Sequence, residues 1–504
     1  MHVIAIRGRG EPVKPTVWRR RGAANDDWEY KVELHGFPKS KTKATQTSTP
    51  SNPCNPQPRN PDEYDGYIKA IFDNIQETHS SKLLFFIHGG MNDLVGAVKR
   101  AAELVDRDNA AWTAGHAKQR GNYQLSTTGY PIFICWESPP TGYFEQLIWV
   151  RAGRSERYGQ SIAHKFYAYS TIPFHFIADV GRGVTRFPAE LSEFVHNDMY
   201  SVSPKLFSEF KQSRDETEYI NKCPDGNVRA TREIDVAQSP ARFLEDTQTA
   251  VLFPVRTLTL PLIDSIGVGA WENMLRHIDT MFDRTDTSGY KHPTPVEEAV
   301  ERDQTGALAI FFSHLRDDSV LSKLPITLVG HSMGAIVCNR IVGGYPTLKY
   351  PDIVYMGAAC SVREFQASVV PYLVNNPDTH FYNLSLHPQC EAGEISLSQP
   401  KIKFDVAPRG SLLVWLDNIL TRPPAEDERR LGIFQTAVLS SHNFPKTIRP
   451  KITLKCFGFD VREPCPPLIW YPQHHADFSN SPFWNPNFWD LNGRPPSPKN
   501  VASR

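Results

Sequence analysis

The residues best suited to chemistry lie in "ITLVGHSMGAIVCNRI", positions 326–341, where Gly330, Ser332 and Gly334 stand in G-x-S-x-G spacing. An apolar β-like run ends at Gly330 and a helix-like run begins after Met333. A serine lifted on such a strand–turn–helix corner needs small neighbours two before and two after it, because the strained backbone leaves no space for side chains there. The next amide, that of Met333, opens the helix and is free to donate to a developing oxyanion. His331 reads as the residue that fills the turn. Five letters also occur as an ordinary tight turn, so the argument for a nucleophile rests on the strand before and the helix after.

A second motif follows the run "LLFFIHGG": His88-Gly89-Gly90-Met91-Asn92. Glycines let main-chain amides face a substrate, so Met91 or Gly90 is the expected partner of Met333 in an oxyanion hole, and His88 is read as shaping the turn. A serine hydroxyl also needs a base. His474 and His475 are the only histidines beyond residue 442. His475 is preferred because "HADF" puts an acidic and an aromatic residue behind it to fix the loop and the helix start. The acid that orients the imidazole belongs after the seventh strand, where Glu391 is the first choice and Asp405, Asp417 and Glu394 are rivals. Asp417 falls on an amphipathic stretch that suits a solvated face. No Cys, His or carboxylate cluster accompanies the histidine pair, so a metal is not expected, and acyl transfer by a serine needs no organic cofactor.

These side chains need a scaffold, and eight β-like runs provide one: "HVIAIRG", "WEYKVELHG", "LLFFIHGG", "PIFICWES", "ITLVG", "DIVYMGAA", "HFYNLSLH" and "ITLKCFGF". The middle runs are almost continuously apolar, as parallel strands covered on both faces are. Helical patterns fill the gaps in "DEYDGYIKAIFDNIQ", "DLVGAVKRAAELVDRD" and "TPVEEAVERDQTGALAIFFSHL". The expectation is an α/β fold with an eight-stranded, mostly parallel sheet and helices on both faces. Its core would span 1–139 and 291–492. Residues 140–290 far exceed an ordinary crossover. Their aromatic, amphipathic content predicts a large helical insertion, read either as a structural unit with a small core or as a lid over the site. Segments 38–61 and 493–504 are polar and proline-rich and read as flexible.

Composition narrows the partners. The 504 residues carry 55 Lys and Arg against 55 Asp and Glu, which leaves no net field to attract nucleic acid. No apolar stretch reaches the roughly 18 residues of a membrane span. The opening "MHVIAIRGRG" lacks the layout of a secretory signal. The eight scattered cysteines form no C-x-x-C pair, and Cys135 and Cys456 lie in apolar runs. A reducing, cytoplasmic setting is expected.

With the elbow "GHSMG", the "HGGMN" turn and the terminal "HHADF" in place, the chain resembles the α/β-hydrolase superfamily of lipases, esterases and related serine hydrolases. The insertion at 140–290 and the proline-rich loop at 38–61 have no counterpart in that pattern. The resemblance implies the α/β-hydrolase fold, a cap that selects substrate, and hydrolysis of a carboxylic ester of small-molecule or lipid-like type through an acyl-enzyme on Ser332. Peripheral contact with a membrane is compatible with it. An acyltransferase would use the same triad, and a non-catalytic ligand- or partner-binding protein would keep the fold alone.

Overall fold

Side chains alternate sides along an extended strand, so an apolar run becomes two apolar faces that both need cover. In the computed structural model this alternation is plain. The model describes residues 3–8, 10–21, 28–37, 61–90, 92–108, 129–138, most of 174–195, 228–230, 240–283, 306–394, 408–457, 472 and 474–491. On β4 (Leu83–Ile87), Leu83, Phe85 and Ile87 enter one hydrophobic cluster while Leu84 and Phe86 enter the other. Strand β5 (Tyr130–Trp136) divides in the same way, with Ile132 and Ile134 on one face and Phe133 and Cys135 on the other.

The remaining strands are β1 (Val3–Ile6), β2 (Pro12–Arg21), β3 (Trp28–Gly36), β6 (Arg229–Ala230), β7 (Ile326–His331), β8 (Asp352–Met356), β9 (His380–Leu386) and β10 (Ile452–Phe457). They form one sheet in the order β3-β2-β1-β5-β4-β7-β8-β9-β10-β6. Every pairing from β1 through β6 is parallel, and only β2 runs antiparallel to its neighbours. The fold is therefore α/β with a mostly parallel sheet, but with ten strands where eight were expected. All eight runs read from the sequence are strands. The two additions are β6, a two-residue edge, and β2, whose Pro12, Pro15 and three terminal arginines hide its β character.

One face of the sheet carries α1 (Pro61–Glu77), α4 (Ala307–Asp317), α5 (Gly334–Gly344) and α6 (Val362–Asn375), numbered with α2 (Leu94–Asp108) and α3 (Pro240–Phe282) in chain order. Helix α2 lies on the opposite face, presenting Leu94, Ala97, Val98, Ala101 and Leu104 at helical spacing. Helix α6 starts at a reciprocal cap: Ser361 Oγ accepts from the Glu364 amide, and the Glu364 carboxylate accepts from the Ser361 amide.

Within 140–290 the C-terminal half of α3 packs onto the core of the sheet. Val268, Trp271, Met274, Ile278 and Met281 join the main cluster. Polar contacts tie the same half to the sheet's edge. His277 Nδ1 meets the Glu137 carbonyl at 2.8 Å, Thr280 Oγ1 donates to the Gly8 carbonyl at 3.1 Å, and Asp279 pairs with Arg340 of α5 at 2.7 Å.

Helix α5 begins hard against β4. A Cβ added at Gly334 would lie 2.2 Å from the Ile87 carbonyl oxygen, a main-chain atom that cannot rotate away. Gly334→Ala is expected to cost about 1–3 kcal/mol of stability by pushing helix from strand, measured as a lower urea midpoint at unchanged slope.

Candidate active site

Parallel strands point one way, so their carboxyl ends share one edge, and chain leaving each strand gathers in a common crevice. Ile87 pairs with Gly330, Gly330 with Tyr355, and His331 with Met356. This register brings His88-Gly89, Ser332 and Gly357 together. Ser332 has φ 52°, a left-handed backbone that a non-glycine residue occupies only under constraint. Three main-chain hydrogen bonds supply that constraint: the Ser332 amide donates to the Met356 carbonyl at 2.8 Å, and its carbonyl accepts from Ala335 at 3.1 Å and Ala359 at 3.0 Å. The flanking glycines are sterically required. A Cβ at Gly330 would sit 2.8 Å from the Ala335 nitrogen and the Cys338 sulfur.

Met333 caps α5 at its N-terminus, and among the described residues no carbonyl accepts from its amide. Gly89 faces the serine directly, since a Cβ there would approach Ser332 Cβ at 2.8 Å. Gly90 lies against the Met333 sulfur and the sulfur of Met274 on α3. Met91 is outside the described residues. The turn is locked by side chains around it. His88 Nε2 accepts from the Trp136 amide at 3.0 Å, which leaves Nδ1 to donate to the Gly89 carbonyl at 2.6 Å. Burial lowers the His88 pKa to about 4, so this ring stays neutral and structural. Asn92 Nδ2 donates to both the Gly89 and the Gly90 carbonyls at 3.0 Å. This role goes beyond the sequence reading, which quoted Asn92 only as the last letter of a motif.

His475 opens a short 3-10 helix (His475–Asn480) that lies against the serine turn, while His474 faces solvent. The "HADF" residues hold it: Asp477 accepts from the His474 amide at 2.9 Å, and Phe478 is buried beside Phe457 and the His331 ring. A Cβ on Gly357 would come within 2.9 Å of His475 Nδ1, so only glycine leaves room for the ring. His331 does more than fill the elbow. Its Nε2 donates to the His475 carbonyl at 3.1 Å, and the two rings lie 5.3 Å apart. Among the described residues nothing bonds either ring nitrogen of His475. Burial lowers its pKa to about 4, which keeps the imidazole neutral with both nitrogens open to partners.

The acid candidates separate clearly. Asp417 is committed to Arg430, which it meets through the side chain at 3.2 Å and the amide at 3.0 Å. Arg430 in turn donates to the Ala359 carbonyl at 3.1 Å and lies over the Trp271 ring of α3. This ion pair ties the chain after β8 to α3. Asp405 is outside the described residues. Glu391 lies in α7 (Pro388–Gly393), just beyond β9, and Glu394 follows it. Glu394 Oε2 accepts from the His475 main-chain amide at 2.9 Å. Burial, with the Glu394 carboxylate alongside, raises Glu391 to about 8.

Ser332 itself is buried. A cavity of about 480 Å³ adjoins the His88 turn, with Phe86, His88, Asn92, Arg100, Cys135 and Trp484 among its lining residues. It shares the turn with the site but does not reach the serine. Ser332, the Met333 amide and the neutral His475 imidazole thus gather at one edge of the sheet, and no hydrogen bond joins the serine hydroxyl to the His475 ring among the described residues.

An acid raised from its ordinary 4.5 to about 8 opposes folding once it ionises: the cost is absent below pH 4.5, grows as pH rises, and is complete above about 8. Glu391→Gln is therefore expected to raise the melting temperature near pH 9 and to change it little near pH 4, as calorimetry would show. In comparison with known proteins, no family model, no curated sequence and no solved structure matches this chain.

Proposed function

We propose that the chain is a serine hydrolase of α/β-hydrolase type that cleaves carboxylic esters, lipid-like ones included, through an acyl-enzyme on Ser332. One observation carries this reading: a serine with φ 52° between a buried parallel strand and a helix whose N-cap amide, that of Met333, meets no acceptor among the described residues. A left-handed serine serves no packing need that glycine would not meet at lower cost.

In the proposed cycle Ser332 Oγ attacks the ester carbonyl while His475 takes its proton. The amides of Met333 and of Gly90 or Met91 hold the oxyanion. His475 then returns the proton to the leaving alcohol, and water attacks the acyl-enzyme by the same path in reverse. Glu394 already holds the His475 main chain, and the task of orienting the ring is assigned to Glu391, with Asp405, outside the described residues, as its rival. Catalytic hydrogen bonds often close only when substrate is bound, so the open ring nitrogens of His475 are compatible with this role.

A fluorophosphonate probe followed by peptide mapping tests the nucleophile: label is expected on Ser332 alone. Ser332→Ala is expected to lower kcat on a p-nitrophenyl ester by more than about 10³-fold with its melting curve unchanged. An unlabelled Ser332, or full activity in the alanine variant, refutes the proposal. For the base, His475→Ala is expected to match that loss while His474→Ala keeps near-normal turnover. The reverse pattern assigns the base to His474.

A further inference from the structure

Water normally sorts a surface helix so that its charges face out and its apolar residues face in. One helix pair in this protein is sorted the other way. From 247 to 271 the sequence holds two charged residues, Arg256 and Asp264, and both are 0% exposed. The helical residues 176–188 pack across this part of α3. Their charges also turn inward: Asp179 is buried, Arg186 meets Asp264 at 3.0 Å, and Arg182 lies 3.7 Å from the same carboxylate. Glu190, one turn further on, is likewise buried beside Arg186.

The outer face is apolar. Phe174 is 73% exposed, Ile177 66%, Val184 58%, Leu258 80% and Leu262 46%. Small residues bring the two helices close. A Cβ on Gly183 would lie 2.4 Å from the Pro261 carbonyl, and Ser265 Oγ donates to the Asp179 carbonyl at 3.0 Å. Val184 and Leu262 are the chain neighbours of the touching residues Gly183 and Pro261.

We propose that this helix pair is the face by which the protein seats itself on a phospholipid bilayer, with those five side chains entering the acyl-chain boundary. Ion pairs turned toward the helix contact, small residues at that contact and, among the described residues, exposed side chains that are mainly apolar form the arrangement that hydrocarbon selects. Among the described residues no helix is long and apolar enough to cross a membrane, so the pair lies in the plane of the interface. The same helix α3 carries Met274 to the Gly90 turn, about 18 Å further along its axis at 1.5 Å per residue. Bilayer seating is independent of the hydrolase proposal, and its test reads binding instead of turnover.

The full chain is mixed with phosphatidylcholine vesicles, and separately with vesicles containing phosphatidylserine, then floated on a density gradient at low salt and at about 0.5 M salt. It is expected to float with both vesicle types at both salt levels. The combined variant Ile177→Glu, Val184→Glu and Leu258→Glu is expected to lose at least about tenfold of its vesicle-bound fraction, with circular dichroism and melting unchanged. If the triple change disturbs the melt, Leu258→Glu alone, at the most exposed position, is expected to lose roughly threefold. Failure of the wild type to float overturns the proposal, as does equal flotation of the folded variants. Binding confined to anionic vesicles and lost in salt also overturns it, by replacing apolar insertion with charge. A wild-type dimer in sedimentation velocity that the variants convert to monomer assigns the face to a second copy of the chain and overturns it equally.

Discussion

The left-handed backbone of Ser332 is the constraint around which the sheet's edge is built. Holding a non-glycine residue there costs about 1–3 kcal/mol, and the cost is met by contacts from three directions. Strand β8 supplies the Met356 carbonyl, α5 and the chain after β8 supply the Ala335 and Ala359 amides, and glycines at 330 and 334 remove the side chains that would collide. Each contact depends on the register of β7 with β4 and β8. A one-residue slip would exchange the two apolar faces and carry the serine away from Gly89.

Around that corner burial shifts the ionisable groups toward their neutral forms. Burial lowers the pKa values of His88, His331 and His475, and raises those of Glu391 and Glu394. Three imidazoles in one neighbourhood thus do three different tasks. The first holds the glycine turn, the second holds the main chain of the third, and the third keeps both nitrogens open. The remaining buried carboxylate nearby, Asp417, is held by Arg430 and serves the scaffold by linking the chain after β8 to α3.

Much of this was legible in the sequence because it is encoded locally. Apolar runs of four to seven residues marked the buried strands, and G-x-S-x-G between such a run and a helix marked the corner. What stayed hidden depends on partners far along the chain. The bond from His331 to the His475 carbonyl spans 144 residues, and nothing in "GHSMG" announces it. Asp417 reads as a surface residue until Arg430 is placed beside it. Strand β2 was hidden for another reason: Pro12, Pro15 and its three terminal arginines interrupt the β-like run, although Val13 and Val17 pack inward and the strand is paired on both sides, with β1 and β3. The inversion of the helix pair is not legible in the aromatic, amphipathic content of 140–290, which suits a core-facing helix equally well. Only the direction in which Asp264 and Arg186 point reveals it.

The order of strands in the sheet also dictates when the corner can exist. Strand β4 pairs with β7 across more than 200 residues of chain, and the ring of His331 waits for a carbonyl near the C-terminal end. Contacts of such long range carry a large loop-closure entropy, which slows folding. On a ribosome, the elbow emerges well before the segment that completes it. An unfinished or truncated chain would therefore hold the left-handed serine turn without the His331–His475 contact that braces it.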